Sequence, residues 1–337
     1  MSDDTISPVW LHHGWFEEAT AWIQEQLHQL HYPITGDIKQ VYASPTSCVL
    51  SVATTRGDIY FKVSAPLFKY EPLLTQTISQ LLPAYTLRVL NVDDARSWLL
   101  MEDAGPSLRK LTLEQRDVTR WQDALSTFAR FQIESIPYCA QLEAAGCPDR
   151  TLARIPELFD ALLSDTSAFL VDQKDGVPGD EMEQLHAFKP QLVTLCEELG
   201  CYNIPDALHH DDLSANNIAL NGRNYTFFDW AESAITHPFC SVLIPLRAAR
   251  YIFKLSEDEL KSIRDSYLSQ WVVYQPMESL QHAFELAQRV AILCRCLTWQ
   301  YVITHVDDRA KAEFHDAAAY WLRLFLHNGE EFEEETP

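Results

Sequence analysis

Cations are scarce in this 337-residue chain: 26 Lys and Arg face 48 Asp and Glu, a formal net charge of −22. A surface of that sign repels nucleic-acid phosphates and anionic bilayers, which excludes either as the main partner. It is compatible with a cationic substrate, and equally with a plain solvated acidic surface. Also missing is any C-x-x-C pair among the eight cysteines, Cys48, Cys139, Cys147, Cys196, Cys201, Cys240, Cys294 and Cys296. That usage reads as reduced, largely buried thiols of a cytoplasmic protein. Cys294 and Cys296, two apart on a predicted helix, point to different faces and make a poor metal pair. No uninterrupted apolar run approaches the ~18 residues of a membrane span. The opening MSDDTISPVW has neither the basic nor the apolar region of a secretory signal. No internal repeat is visible, and the one biased segment is the acidic run Glu330–Glu335.

What is present is a globular composition, 47% hydrophobic and 22% charged, long enough for one large two-lobed domain or two ordinary ones. Apolar residues at helical spacing predict an amphipathic helix over Trp15–Leu30. Three β-like segments follow, Ile38–Ala43, Cys48–Thr54 and Ile59–Val63, as an antiparallel meander. Lys62 sits inside the third with apolar neighbours alternating around it, either an edge residue pointing outward or a placed cation. After Pro66 a helix begins with Glu71 near its start, an ordinary complement to the helix dipole. Strands over Leu87–Val92 and Trp98–Met101 lead to a break at Glu102-Asp103-Ala104-Gly105-Pro106. Beyond it helices dominate: Leu113–Ile136, Leu152–Leu163, Met182–Gly200, Glu257–Trp271, Met277–Val302 and Ala310–Leu326. Asp165–Asp180 reads as a surface loop.

One ribbon interrupts those helices, within His209–Glu232. Asn217–Leu220 and Tyr225–Phe228 flank Asn221-Gly222, and Asn-Gly between β-prone runs is a strong hairpin signal because both residues tolerate positive φ. With a loop from Asn221 to Asn224, Leu220 faces Tyr225 and Asn217 faces Phe228; a two-residue loop would instead set Asn217 against Thr226. Either register brings an amide oxygen and the Asp229 carboxylate to one end of the ribbon, with Asp212 on the approach loop. An Asp, an Asn five residues on and an Asp after a hairpin is how kinases hold a catalytic base and a metal–nucleotide.

A β-meander with a strand lysine, a helix with an early glutamate, the strand-then-hinge Leu99-Leu100-Met101-Glu102-Asp103 and this ribbon together resemble the aminoglycoside phosphotransferase family, with its choline-kinase relatives. The family's H-G-D-L-x-x-x-N stands here as His210-Asp211-Asp212-Leu213-Ser214-Ala215-Asn216-Asn217, and its D-W motif as Phe228-Asp229-Trp230. The resemblance covers about 38–247. It implies an α+β, two-lobed protein-kinase-like fold: a β-rich nucleotide-binding lobe over 1–103, a hinge at 101–105, and a helical lobe over 104–337. It further implies transfer of the γ-phosphoryl group of ATP or GTP to a hydroxyl of a small molecule, cationic ones included. Asp212 would be the catalytic base, with Asn217 and Asp229 on Mg²⁺. Lys62, held by Glu71, would meet the nucleotide phosphates, and Ser47 would be a further phosphate contact. Backbone groups near Glu102 and Asp103 would receive the purine edge. Of the tandem Asp211-Asp212 and Asn216-Asn217, the pair Asp212/Asn217 fits the family register, because Leu213 then follows the Asp and Ile218 opens the strand.

Three departures stand out. Ser44-Pro45-Thr46-Ser47 carries no glycine where kinases cover the phosphates with one. Asp211 replaces a glycine beside the base, adding like charge that raises a carboxyl pKa unless a cation offsets it. Ser241, in His237-Pro238-Phe239-Cys240-Ser241, stands where the family often has an aspartate, so the base loop is expected to be buttressed otherwise. Two other readings compete: a catalytically impaired nucleotide-binding protein of the same fold, and a metal-dependent phosphohydrolase built on His209-His210-Asp211-Asp212.

Overall fold

The computed structural model describes residues 8–114 and 117–330. Residues 1–7 of the opening segment read for a signal, and all of the acidic run except Glu330, lie outside them.

Alternation builds the first lobe. Strands β1 (Lys39–Ala43), β2 (Ser47–Thr54), β3 (Gly57–Ser64), β4 (Val89–Asp93) and β5 (Trp98–Glu102) form an antiparallel sheet in the order β1-β2-β3-β5-β4. Cys48, Leu50, Val52, Ile59, Phe61, Val63, Trp98 and Leu100 are all buried on one face. Helix α1 (Trp15–Gln29) packs there, with Trp22 edge-on to Phe61 at 5.8 Å and to Trp98 at 5.4 Å. Period-2 geometry then turns Val49, Tyr60, Lys62, Leu99 and Met101 to the opposite face, where Lys62 is paired across the sheet with Val49 and Leu99. Lys62 is therefore not an edge residue: β3 is an inner strand and the side chain is buried.

Helix α2 (Glu71–Leu81) precedes β4, and after β5 the chain enters the second lobe: α3 (Leu108–Glu114), α4 (Val118–Ser135), α5 (Cys139–Ala144), α6 (Ile155–Ser164), α7 (Gly179–Ala187) and α8 (Lys189–Gly200). The helix expected over Met182–Gly200 is thus a pair, and the one expected from Leu113 is α4, preceded by a helix, α3, that periodicity did not show. Asp117 caps α4 afresh, its carboxylate accepting from Thr119 and Arg120 N–H. Pro190 in the first turn of α8 starts a new helix rather than continuing α7. Then come β6 (Ala207–His209), β7 (Ile218–Asn221), β8 (Asn224–Phe227), β9 (Ala234–Thr236), α9 (Leu243–Tyr251), α10 (Glu257–Leu268), α11 (Met277–His305), α12 (Asp308–Phe314) and α13 (Ala317–Leu326). The strands β6 and β9 and the helices α5 and α9 were not foreseen. The region expected to be one helix from Ala310 is α12 followed by α13.

Each lobe has its own apolar core. The cores are not independent, because Val302 on α11, Val306 just after it and Ala310 in the first turn of α12 are buried in the core built on the sheet. All eight cysteines are free thiols, six of them buried. Cys296 Sγ contacts the Ala318 carbonyl and Cys240 Sγ that of Ala287.

Candidate active site

The ribbon β7–β8 pairs Leu220 with Tyr225 and Ile218 with Phe227, and Phe228 N–H donates to the Asn217 carbonyl at 3.2 Å. This is the register that faces Asn217 with Phe228. Beneath it, β6 pairs antiparallel with β9, His209 opposite Ala234, and closes the base of a loop carrying Asp211 to Asn217 and Asp229 to Ser233. Asp229 leaves the ribbon with φ 68°, a left-handed backbone that Asp tolerates better than most residues. The turn aims its carboxylate into the space under the sheet.

There Lys62 Nζ lies 2.6 Å from Glu71 and 2.7 Å from Asp229. Burial disfavours its charge, but the two carboxylates outweigh burial and its pKa is raised. Glu71 is buried at the first position of α2 and also accepts from Ser64. Lys62, Glu71 and Asp229, with Ser47, Val49, Leu99 and Met101, line a cavity of about 290 Å³ whose rim carries Glu102, Asp103 and Ala104. On the roof, the Ser44 hydroxyl accepts from the N–H groups of Thr46 and Ser47, each at 3.2 Å. The glycine-free loop therefore spends on itself the donors that a glycine loop offers to phosphate. At the rim, the Glu102 and Asp103 N–H groups already donate to the carbonyls of Arg88 and Asp58. Glu102 and Asp103 border the cavity, but the first hinge N–H with no protein partner among the described residues is that of Ala104.

Asp212 lies across the loop. Asn217 donates through Nδ2 to its carbonyl and to its Oδ2, both at 2.9 Å. The pairing is therefore Asp212 with Asn217; Asn216 is exposed. Nothing among the described residues bonds to Asn217 Oδ1, so that oxygen and the Asp229 carboxylate, 43% exposed, remain for a cation. Two hard oxygen donors beside a lysine-lined cavity suit Mg²⁺, which binds through one or two protein oxygens plus phosphate and water. The Asp212 carboxyl is pushed up to about 7 by burial and by the nearby charges of Glu232, Asp229 and Asp211, against the pull of Arg295.

Arg295 went unnoticed in the sequence. It is buried at 7% exposure on α11, ion-paired with Glu232, 3.6 Å from Asp211 and 3.8 Å from Asp212. The available signal was an arginine inside the apolar helical run Val290–Leu297. Asp211, the departure beside Asp212, is 3% exposed and accepts from Thr298 and from His209 at 3.1 Å, with Arg150 at 3.7 Å. Burial alone would raise its pKa; these partners outweigh burial and hold it well below the usual carboxylate range. The offsetting cations required by that extra charge are thus protein side chains.

Ser241 sits where an aspartate was expected, and it is a hub. Its Oγ lies 2.9 Å from His209 Nδ1 and accepts from His210 N–H at 3.2 Å and Gln132 Nε2 at 3.1 Å. Gln132, fully buried on α4, also donates to Leu208 and Pro238 carbonyls, and Tyr267 donates to its Oε1 at 2.6 Å. His210 Nε2 lies 2.9 Å from the Phe228 carbonyl and its ring packs on Trp230. Burial, only partly offset by that hydrogen bond, lowers the His210 pKa to about 4, so it is neutral near pH 7. Both histidines are thus structural, and no group of three or more His, Cys, Asp or Glu able to hold a metal occurs among the described residues. The phosphohydrolase reading loses its cluster.

A second cavity, of about 540 Å³, opens beside Glu232, between Phe68 and Tyr70 of the first lobe and Leu162, Thr298 and Tyr301 of the second. Tyr70 is fixed there by a hydrogen bond to the Ala231 carbonyl and by close approach to Gly146 (φ 98°), where a Cβ would meet Tyr70 Cβ at 2.6 Å.

No protein-family model matches this sequence, and no curated protein does. Solved structures do. An ethanolamine kinase from Plasmodium vivax superposes with a TM-score of 0.60 at 11% identity, over 87% of this chain and 83% of that one. A choline kinase from Cryptosporidium parvum gives 0.58 at 16%, over 87% and 88%. The macrolide 2'-phosphotransferase of Brachybacterium faecium gives 0.58 at 14%, over 89% and 97%. The chain has a protein-kinase-like fold. Within that fold the sheet with Lys62 roofs the cleft, and the ribbon with Asp212, Asn217 and Asp229 floors it. No helix among the described residues is long and apolar enough to cross a membrane.

Proposed function

We propose that this chain is a nucleotide- and Mg²⁺-dependent phosphotransferase acting on a hydroxyl of a small molecule, in the cleft between residues 1–103 and 104–337. The observation that carries the reading is the joint placement of Lys62 between Glu71 and Asp229 with Asp212 hydrogen-bonded to Asn217 on one cleft floor. Mg²⁺, held by Asn217 and Asp229, would neutralise charge on the transferring phosphoryl group. Lys62 meets the phosphates of ATP or GTP, Glu71 keeps it aimed, and Ser47 contacts them from the roof. The backbone at Glu102 to Ala104 borders the base. Asp212 takes the proton of the acceptor hydroxyl as its oxygen bonds to the γ-phosphorus and the bond to the β-phosphate oxygen breaks, releasing nucleoside diphosphate.

The acceptor enters from the cavity beside Glu232. Its wall combines Phe68, Tyr70 and Tyr301 with Asp149, Asp165 and Glu232, which suits a partly apolar hydroxyl compound carrying an amine. Thermal shift with Mg·ATP and Mg·GTP, followed by turnover across amino alcohols, aminoglycosides and neutral sugars, tests this. A nucleotide shift with turnover on amine-bearing acceptors is expected; absence of any nucleotide shift would overturn the reading.

A further inference from the structure

A cavity of about 390 Å³ between α9, α10, α11 and the Asn328–Gly329 turn shares no residue with either cleft cavity. In a chain of net charge −22 it is lined by four arginines, Arg247, Arg250, Arg264 and Arg289, and one carboxylate, Glu285. Its size falls within the ~300–1,000 Å³ of small-molecule sites.

The arginines are differently engaged. Arg250 pairs with Glu257 at 3.0 Å and Arg264 with its neighbour Asp265 at 2.8 Å. Both pairs include a carboxylate at least 40% exposed, and such pairs are weakly held and readily exchanged. Arg247 is stacked on Tyr251 at 5.1 Å and Trp321 at 5.2 Å, which orients its planar fork. Arg289 lies over Phe188 at 4.3 Å, and one N–H reaches the Phe325 carbonyl at 3.5 Å. Its Nε is buried without a hydrogen-bond partner, and no carboxylate pairs with it among the described residues. An uncompensated, half-buried guanidinium is costly to keep without a counter-anion. The rest of the lining is apolar where Leu243, Phe284 and Ile292 meet.

We propose that this cavity binds a soluble phosphate monoester, with Arg250, Arg264 and Arg289 around the dianionic head and the organic part against Leu243, Phe284 and Ile292. A phosphate accepts from several guanidinium forks at once, whereas a carboxylate would leave most of the lining charge unmatched. The net negative charge of the chain disfavours an anionic bilayer as the source of the headgroup.

Titration calorimetry of the full chain with phenyl phosphate and with inorganic phosphate tests the site. Saturable binding of phenyl phosphate is expected, at least ten-fold tighter than inorganic phosphate. The Arg250→Gln/Arg264→Gln double variant should weaken it ten-fold or more with an unchanged ligand-free melting temperature. Arg289→Lys keeps charge but loses the fork and should weaken it as well. Lys62→Met, which removes the cleft cation, should leave it unchanged. The proposal is overturned if no saturable binding occurs, if Lys62→Met abolishes binding while the arginine variants retain it, or if only phosphatidic-acid vesicles, and not phenyl phosphate, bind.

Discussion

Asp206 shows at one residue how burial writes itself into stability. Its carboxyl is pushed up to about 6 by burial and by Asp149 and Glu143. A carboxyl whose folded pKa lies above its unfolded value binds protons more tightly when folded, so it costs stability as pH rises from about 4 through 6. Asp206→Asn should therefore raise the melting free energy by about 1–2 kcal/mol at pH 7.5, with the gain shrinking below pH 5; denaturant titrations at both pH values check it. At the centre of the site, Asp212→Asn should lower phosphoryl transfer by about 10²–10⁴-fold while leaving the nucleotide-induced thermal shift in place. Lys62, Glu71 and Asp212 could be read from sequence because short-range cues, strand alternation, helix start and loop spacing, mark them. Arg295 could not, since its partners Glu232 and Asp211 lie 63 and 84 residues away and no local pattern predicts that contact.

Among the elements, the loop carrying Asp212 is held by an unusual division of labour. A serine at 241 gathers His209, His210 and Gln132, while the carboxylate next to Asp212 sits at Asp211, clamped by Arg295, Arg150 and Thr298. In the pattern this chain resembles, a glycine stands at the first position and an acid often at the second, so the charge has changed place. Asp211→Gly should consequently destabilise the fold by about 3–5 kcal/mol, because it takes from Arg150 the one carboxylate it meets among the described residues and from Arg295 one of its carboxylate neighbours, Glu232 remaining. Asp211→Gly combined with Ser241→Asp should recover part of that loss; equal melting temperatures for single and double variants would refute the exchange. The β-meander, the ribbon and most helices followed from periodicity, because each buries one continuous face. The three-residue strands β6 and β9 did not: they are too short to alternate visibly, and their pairing brings together His209 and Ala234 across the whole ribbon. The break between α7 and α8 was also hidden, since apolar spacing continues through it while a proline resets the backbone.

Across the whole molecule, α11 ties the lobes together. Its middle supplies Arg295 to the floor of the cleft, and its end places Val302 in the core built on the sheet. Unfolding of one lobe therefore exposes part of the other, and calorimetry should show a single transition whose calorimetric and van't Hoff enthalpies agree; two separated transitions would refute the tie. The two-lobed architecture was legible because the break after Met101 separates two periodicities. The cavity beside Glu232 was not, since it is assembled from Phe68 and Tyr70, Leu162, and Thr298 and Tyr301, which are far apart in the chain. The central claim is that the cleft moves a phosphoryl group rather than merely holding a nucleotide. The most direct measurement follows the γ-phosphate of labelled Mg·ATP or Mg·GTP in the presence of amine-bearing alcohols, for the unaltered chain and for Asp212→Asn. Label appearing as an acceptor phosphate ester, and lost in Asp212→Asn, is the predicted result; bound nucleotide with no labelled ester, or equal labelling by both proteins, would contradict the account.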